Sequence, residues 1–133
     1  MTARQWTGDG WQRRGSTEDA EGRALVVINP NSTRAVTDGI AEALAPFAGW
    51  GPPIRCETLA AGPPGIEDDA QVAEVVPPLL ARAAELEPEA AGFVIACFSD
   101  PGLHALRART ALPVLGIGEA ACLAACALGD RFG

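Results

Sequence analysis

The stretch "VIACFSDPGLHAL", residues 94–106, ends a run of apolar β-formers in a thiol. Cys97 falls where the strand pattern stops. Ser99, Asp100 and Pro101 follow, with residue types that open helices. A cysteine at such a junction lies near free backbone N–H groups and the positive end of a helix dipole. Both stabilise thiolate over thiol, so a cysteine there can titrate well below its free value of ~8.5 and be reactive. A small buried hydrophobe is the other common role of such a cysteine, and the local pattern leaves both readings open.

Two further strand ends carry residues suited to a small ligand. In "INPNS", Asn29 and Asn31 flank Pro30. An amide side chain both donates and accepts, and two of them beside a helix N-terminus can grip a carboxylate or an imide. Turn formation and capping account for the same pair. In "GIGEA", Gly116 and Gly118 surround Ile117. The pattern is not GxGxxG and lacks an acidic ribose partner, which argues against a dinucleotide. Close backbone approach to a small ligand fits it. Glu119 either caps its helix or faces the same crevice.

The remaining reactive types form no constellation. His104 is the only histidine, so neither a Ser–His–Asp set nor a histidine metal cluster can be assembled. Cys122 and Cys126 share one helix face at i, i+4, and Cys56 lies mid-strand; all three read as packing residues. Two thiols alone do not make a structural zinc site, so no metal is expected.

The elements that must position these residues alternate along the chain. Apolar runs at 24–30, 54–61, 91–98 and 113–120 read as strands. Between them lie helical patterns, one after Asn31 or Ser32 as N-cap, one over 66–86, one over 100–110 and one over 118–132. Pro77 and Pro78 should kink or split the second helix. The "GPPG" at 62–65 is a loop, and Arg131-Phe132 looks like the start of another strand. This predicts an α/β fold: a four-stranded parallel sheet, order 2-1-3-4, with helices on both faces. Ligands bind at the carboxyl ends of such sheets, where the three strand ends should converge.

Bulk properties narrow the function. The 133 residues fit one domain. A chain of this length buries roughly two thirds of its unfolded surface. Residues 1–22 are polar and aperiodic and read as a disordered leader, leaving 23–133 as the folded unit. Docking of Trp6 and Trp11 on the body is the alternative. The net charge of −7 and scattered arginines argue against nucleic-acid binding. No apolar run reaches the ~20 residues of a membrane span. No signal peptide is visible, so the chain reads as cytoplasmic and its four cysteines as thiols.

Taken together, "VINPNST", "GPPGIE", "VIACFSDPGLHALR" and "PVLGIGEAA" resemble the Asp/Glu/hydantoin racemase family, nearest its hydantoin racemase branch, from about Ala24 to Phe132. The resemblance implies a cofactor-independent racemase or epimerase of hydantoins, amino acids or related small molecules. It implies a fold of two pseudo-symmetric α/β halves, each supplying one cysteine acid/base. Cys97 would be the first. Backbone around Phe98 and Ser99 would hold the substrate carbonyl, with Asn29, Asn31, Gly118 and Glu119 beside it. The matching second half and its cysteine are absent, so this chain is expected to be an N-terminal fragment with little or no activity alone. A non-catalytic small-molecule-binding or partner-binding half-domain is the alternative. The apolar face meant for the other half would be exposed, which invites homo-oligomer formation.

Overall fold

The computed structural model describes residues 6–7, 10–11, 22–129 and 131–132. Most of the expected disordered leader lies outside these residues. Within it, Trp6–Thr7 pairs antiparallel with Gly10–Trp11. From Ala24 onward the chain forms four strands, β1 (Ala24–Asn29), β2 (Ile54–Thr58), β3 (Ala90–Ile95) and β4 (Val114–Gly116). All pairings are parallel: β1 lies between β2 and β3, and β4 pairs with the outer side of β3. The order is therefore 2-1-3-4, as the alternation predicts. Its chain path reverses direction at β1, which makes the gap between the ends of β1 and β3 the switch point where such sheets hold ligands.

The strands are shorter than their apolar runs. β3 stops at Ile95, before Cys97, and β4 stops at Gly116, where α5 (Ile117–Leu128) starts at once. Gly118 and Glu119, expected in a strand-end loop, lie instead in the first turn of α5. The remaining helices are α1 (Arg34–Leu44), α2 (Asp69–Glu74), α3 (Val76–Leu86) and α4 (Leu103–Arg107). The proline pair splits the expected second helix at Val75, and α3 restarts with proline in its first turn. Asp68 caps α2 by accepting from the Gln71 amide at 2.8 Å. Arg131 and Phe132 are not in a strand.

The main core lies on one face of the sheet. Val26 and Ile28 of β1 and Phe93 and Ile95 of β3 pack against Leu79, Leu80, Ala83 and Leu86 of α3 and Leu103 and Leu106 of α4. α1 lies on the other face and is held there by polar groups. Asn29, buried at the end of β1, donates to Thr37 of α1 at 3.0 Å. The Thr37 hydroxyl in turn bonds the Thr58 hydroxyl of β2 at 2.6 Å. Beyond α1 this face is thinly covered. Val94 is only half-buried, Leu115 is 53% exposed, and α5 presents Leu123 and Leu128 to solvent. No helix among the described residues is long and apolar enough to cross a membrane.

At the sheet edge Glu57 of β2 receives Arg55 Nε at 2.6 Å and Arg82 of α3 at 2.9 Å. Burial pushes the Glu57 carboxyl up, but the hydrogen bonds from Arg82 and Arg55 outweigh it and hold it below the usual range. A carboxyl depressed on folding stabilises the native state at neutral pH and loses that contribution as pH falls through its folded value. Both arginines are partly exposed, so screening limits the effect. Glu57→Gln should cost about 1 kcal/mol at neutral pH. In urea titrations its deficit should shrink towards zero on acidification. Truncating the buried connector, Asn29→Ala, should cost about 1–3 kcal/mol in the same assay, because Thr37 loses a buried partner.

Candidate active site

Cys97 sits two residues beyond β3, half-buried, at the switch point beside the end of β1. The Ala96 amide still donates to Ile28 at 2.8 Å, so the strand register carries to the residue before the thiol. The chain then turns: the Asp100 amide donates to the Cys97 carbonyl at 3.0 Å. Within this turn the Cys97 Sγ lies 3.2 Å from the Ser99 hydroxyl. Phe98 is 69% exposed, and the Phe98 and Ser99 amides donate to no group among the described residues. A half-buried thiol, a hydroxyl and two free backbone donors thus share one turn.

The helix expected to begin at Ser99 or Asp100 does not. α4 starts at Leu103, is five residues long, and has Gly102 at its N-cap with φ +72°. Pro101 is buried in the turn before it. The helix after the thiol therefore starts six residues on and is short, and the hydrogen-bond partner of the thiol is Ser99. Asp100 caps a different helix. Its carboxylate accepts from Gly118 at 3.0 Å and from Glu119 at 2.6 Å, the amides that open α5. Gly116, the N-cap of α5, has no side chain to do this. A Cβ on Gly116 would overlap the Asp100 carboxylate, and one on Gly118 would strike the Phe98 carbonyl oxygen. Both glycines of "GIGEA" are thus explained by contacts with the Cys97 turn.

The other predicted residues gather near this turn but are differently engaged. Gly118 is buried against the turn. The Glu119 carboxylate is gripped by both terminal nitrogens of Arg107, one of them at 3.0 Å. Those hydrogen bonds hold its carboxyl below the usual range. Arg107 also donates to the Val114 carbonyl at 3.1 Å, so the pair ties α4 to β4 and α5. Asn29 gives its Nδ2 to Asn31 at 2.9 Å as well as to Thr37, and its Oδ1 accepts from the Asn31 amide at 3.2 Å. The Asn31 Oδ1 also accepts from the Thr33 amide at 3.0 Å, and Thr33, rather than Asn31 or Ser32, is the N-cap of α1. These asparagines shape the turn after β1.

The loop at 62–65, legible as a loop in the sequence, seats on the turn after β1, which the sequence does not show. Pro63 accepts from the Ser32 amide at 2.9 Å and Pro64 from the Thr33 hydroxyl at 2.7 Å. A Cβ on Gly62 would strike the Pro30 carbonyl oxygen, which explains the glycine that opens "GPPG". Arg107 and Asp100 were also missed as organising residues; the signal for Asp100 is the paired glycines that leave it room. His104 is exposed on α4, Cys122 and Cys126 are exposed on α5, and burial pushes the mid-strand Cys56 thiol up. A groove of about 510 Å³ runs elsewhere, between α3 and α4, lined by Val76, Leu80, Leu106 and Arg109 and none of the predicted site residues.

Comparison with known proteins identifies the architecture. The family model described as Asp/Glu/Hydantoin racemase matches residues 25–133. A hydantoin racemase of Pseudomonas sp. (strain NS671) is 39% identical over 109 residues, covering 81% of this chain and 44% of that protein. A hydantoin racemase of Paenarthrobacter aurescens is 38% identical over 99 residues, covering 73% of this chain and 42% of that protein. The solved structure of allantoin racemase from Klebsiella pneumoniae superposes with a TM-score of 0.62 at 39% identity, covering 74% of this chain and 41% of that one. The chain spans less than half the length of these relatives. With the match running across the sheet, the Cys97 turn and α5, this chain belongs to the Asp/Glu/hydantoin racemase family.

Proposed function

We propose that this chain carries one half of a cofactor-independent racemase site for hydantoins or related small molecules with an acidic C–H beside a carbonyl, with Cys97 as an acid/base. The observation that carries the reading is the Cys97 turn. A half-buried thiol stands at the sheet's switch point in one turn with two backbone N–H groups that have no partner among the described residues. Family membership and the names of the relatives support the substrate class.

The chemistry follows from the groups present. Cys97 as thiolate takes the proton from the substrate carbon, and the electron pair moves into the adjacent carbonyl as an enolate. Phe98 and Ser99 N–H groups bind the developing oxyanion, where preorganised donors are most effective. Ser99 Oγ steadies Cys97 Sγ through its hydrogen bond. Inversion needs a second acid on the opposite face of the same carbon. Cys122 and Cys126 are exposed further along α5 and Cys56 lies mid-strand in β2, and none hydrogen-bonds with the Cys97 turn among the described residues. In this reading the second acid belongs to the part of the family architecture that this chain does not span. Asn29, Asn31 and Glu119 serve by shaping the site's walls, since their side chains already hold internal partners. The site is proposed to be cytoplasmic.

Exchange at the substrate carbon needs only one face, so it can be measured on this chain. Solvent deuterium should enter hydantoin's α-position, read by proton NMR. Cys97→Ser should slow that entry by about 100-fold or more. Exchange that survives Cys97→Ser would contradict the assignment. Thermal stabilisation by hydantoin without any exchange would favour a binding half-domain instead.

A further inference from the structure

We infer that Asp100 is a positioning residue for Cys97, acting through the strand-to-helix junction that follows β4 rather than through the helix it precedes. This rests on the reading of Cys97 as the acid/base. Four observations converge on it. Asp100 is the one non-glycine residue at positive φ among those described, at +47°. A backbone state that L-residues rarely adopt persists only where its surroundings hold it. Its amide closes the turn onto the Cys97 carbonyl. Its carboxylate takes both opening amides of α5, contributed 18 and 19 residues later. Gly116 and Gly118 leave the space that the carboxylate and the Phe98 carbonyl fill.

The consequence is geometric. Cys97 and Asp100 are opposite ends of one turn: pairing of Ala96 with Ile28 holds the chain up to the Cys97 end, and the Asp100 carboxylate ties the other end to α5. Freeing the Asp100 end lets residues 97–99 rotate, which moves the Sγ and the Phe98 and Ser99 N–H groups together. The Arg107–Glu119 pair reinforces the same junction from the far side, fixing Glu119 whose amide Asp100 accepts. Asp100 touches no reacting atom in this scheme; it fixes where the thiol and the N–H donors stand.

The test is site-resolved alkylation of Cys97 by iodoacetamide across neutral and alkaline pH, read by peptide mass on the 133-residue chain. Amide hydrogen exchange at Gly118 and Glu119 reports the cap in parallel. Asp100→Gly keeps the positive-φ backbone and removes both acceptors. Exchange at the two amides should rise about fivefold or more. The Cys97 rate profile should shift, by about threefold or more at a given pH. Asp100→Asn keeps a carbonyl acceptor and tolerates positive φ, so it should restore most of the wild-type profile. Gly118→Ala displaces the Phe98 carbonyl with Asp100 intact. It should also shift the Cys97 profile, by about threefold or more at a given pH, and it stands in if Asp100→Gly does not fold. The inference is overturned if the Cys97 profile stays wild-type in Asp100→Gly and Gly118→Ala, whether or not exchange at 118–119 rises; Asp100 then at most caps α5. Alkylation needs no turnover, so this result is separable from a failure of Cys97-dependent deuterium exchange.

Discussion

The carboxylate of Asp100 on the first amides of α5 is the contact on which the site's shape depends. Parallel strands leave their carboxyl ends side by side, but each end continues into a separate connection. Without a tie between them, the turn after β3 and the junction after β4 are independent. One side chain makes them a unit. It satisfies two helix-opening donors that a glycine N-cap cannot serve, and it holds the Cys97 turn closed from its far end.

A second tie does the same for the other side of the crevice. The buried Asn29 amide links the turn after β1, α1 and, through Thr37, the end of β2. The "GPPG" loop then seats on that turn through Ser32 and Thr33. The two walls beside the switch point are thus each internally bonded. The thiol and the Phe98 and Ser99 amides, unpartnered among the described residues, lie at the end of β3 beside β1. By contrast the outer surfaces of β4 and α5 carry apolar groups with little cover, Leu115 and Leu123 among them. A surface of that kind suits burial against further protein.

Much of the fold is legible in the residues. Short continuous apolar runs mark buried parallel strands, and Pro77 and Pro78 mark the break between α2 and α3. The thiol at the end of the third run stands out as a candidate for the same reason: polar chemistry begins where the apolar pattern stops. What local pattern does not reveal is which helix a capping residue serves. Ser99-Asp100-Pro101 reads as the start of the next helix, yet Gly102 in a left-handed conformation delays α4, and Asp100 reaches across to α5. The partners of Asn29 and Glu119 were hidden likewise. Thr37, Thr58 and Arg107 are ordinary in sequence and become partners only once the sheet is assembled.

The proposed role of the Cys97 turn as a preformed half-site for a hydantoin-like molecule is tested by titrating the nitrogen-15-labelled chain with hydantoin and following each backbone amide. The Phe98 and Ser99 amides should shift first and together, with Gly118 following, while residues lining the α3–α4 groove stay put. Shifts confined to Val76, Leu80 and Arg109 in that groove, or no shift in the turn at saturating hydantoin, would contradict it.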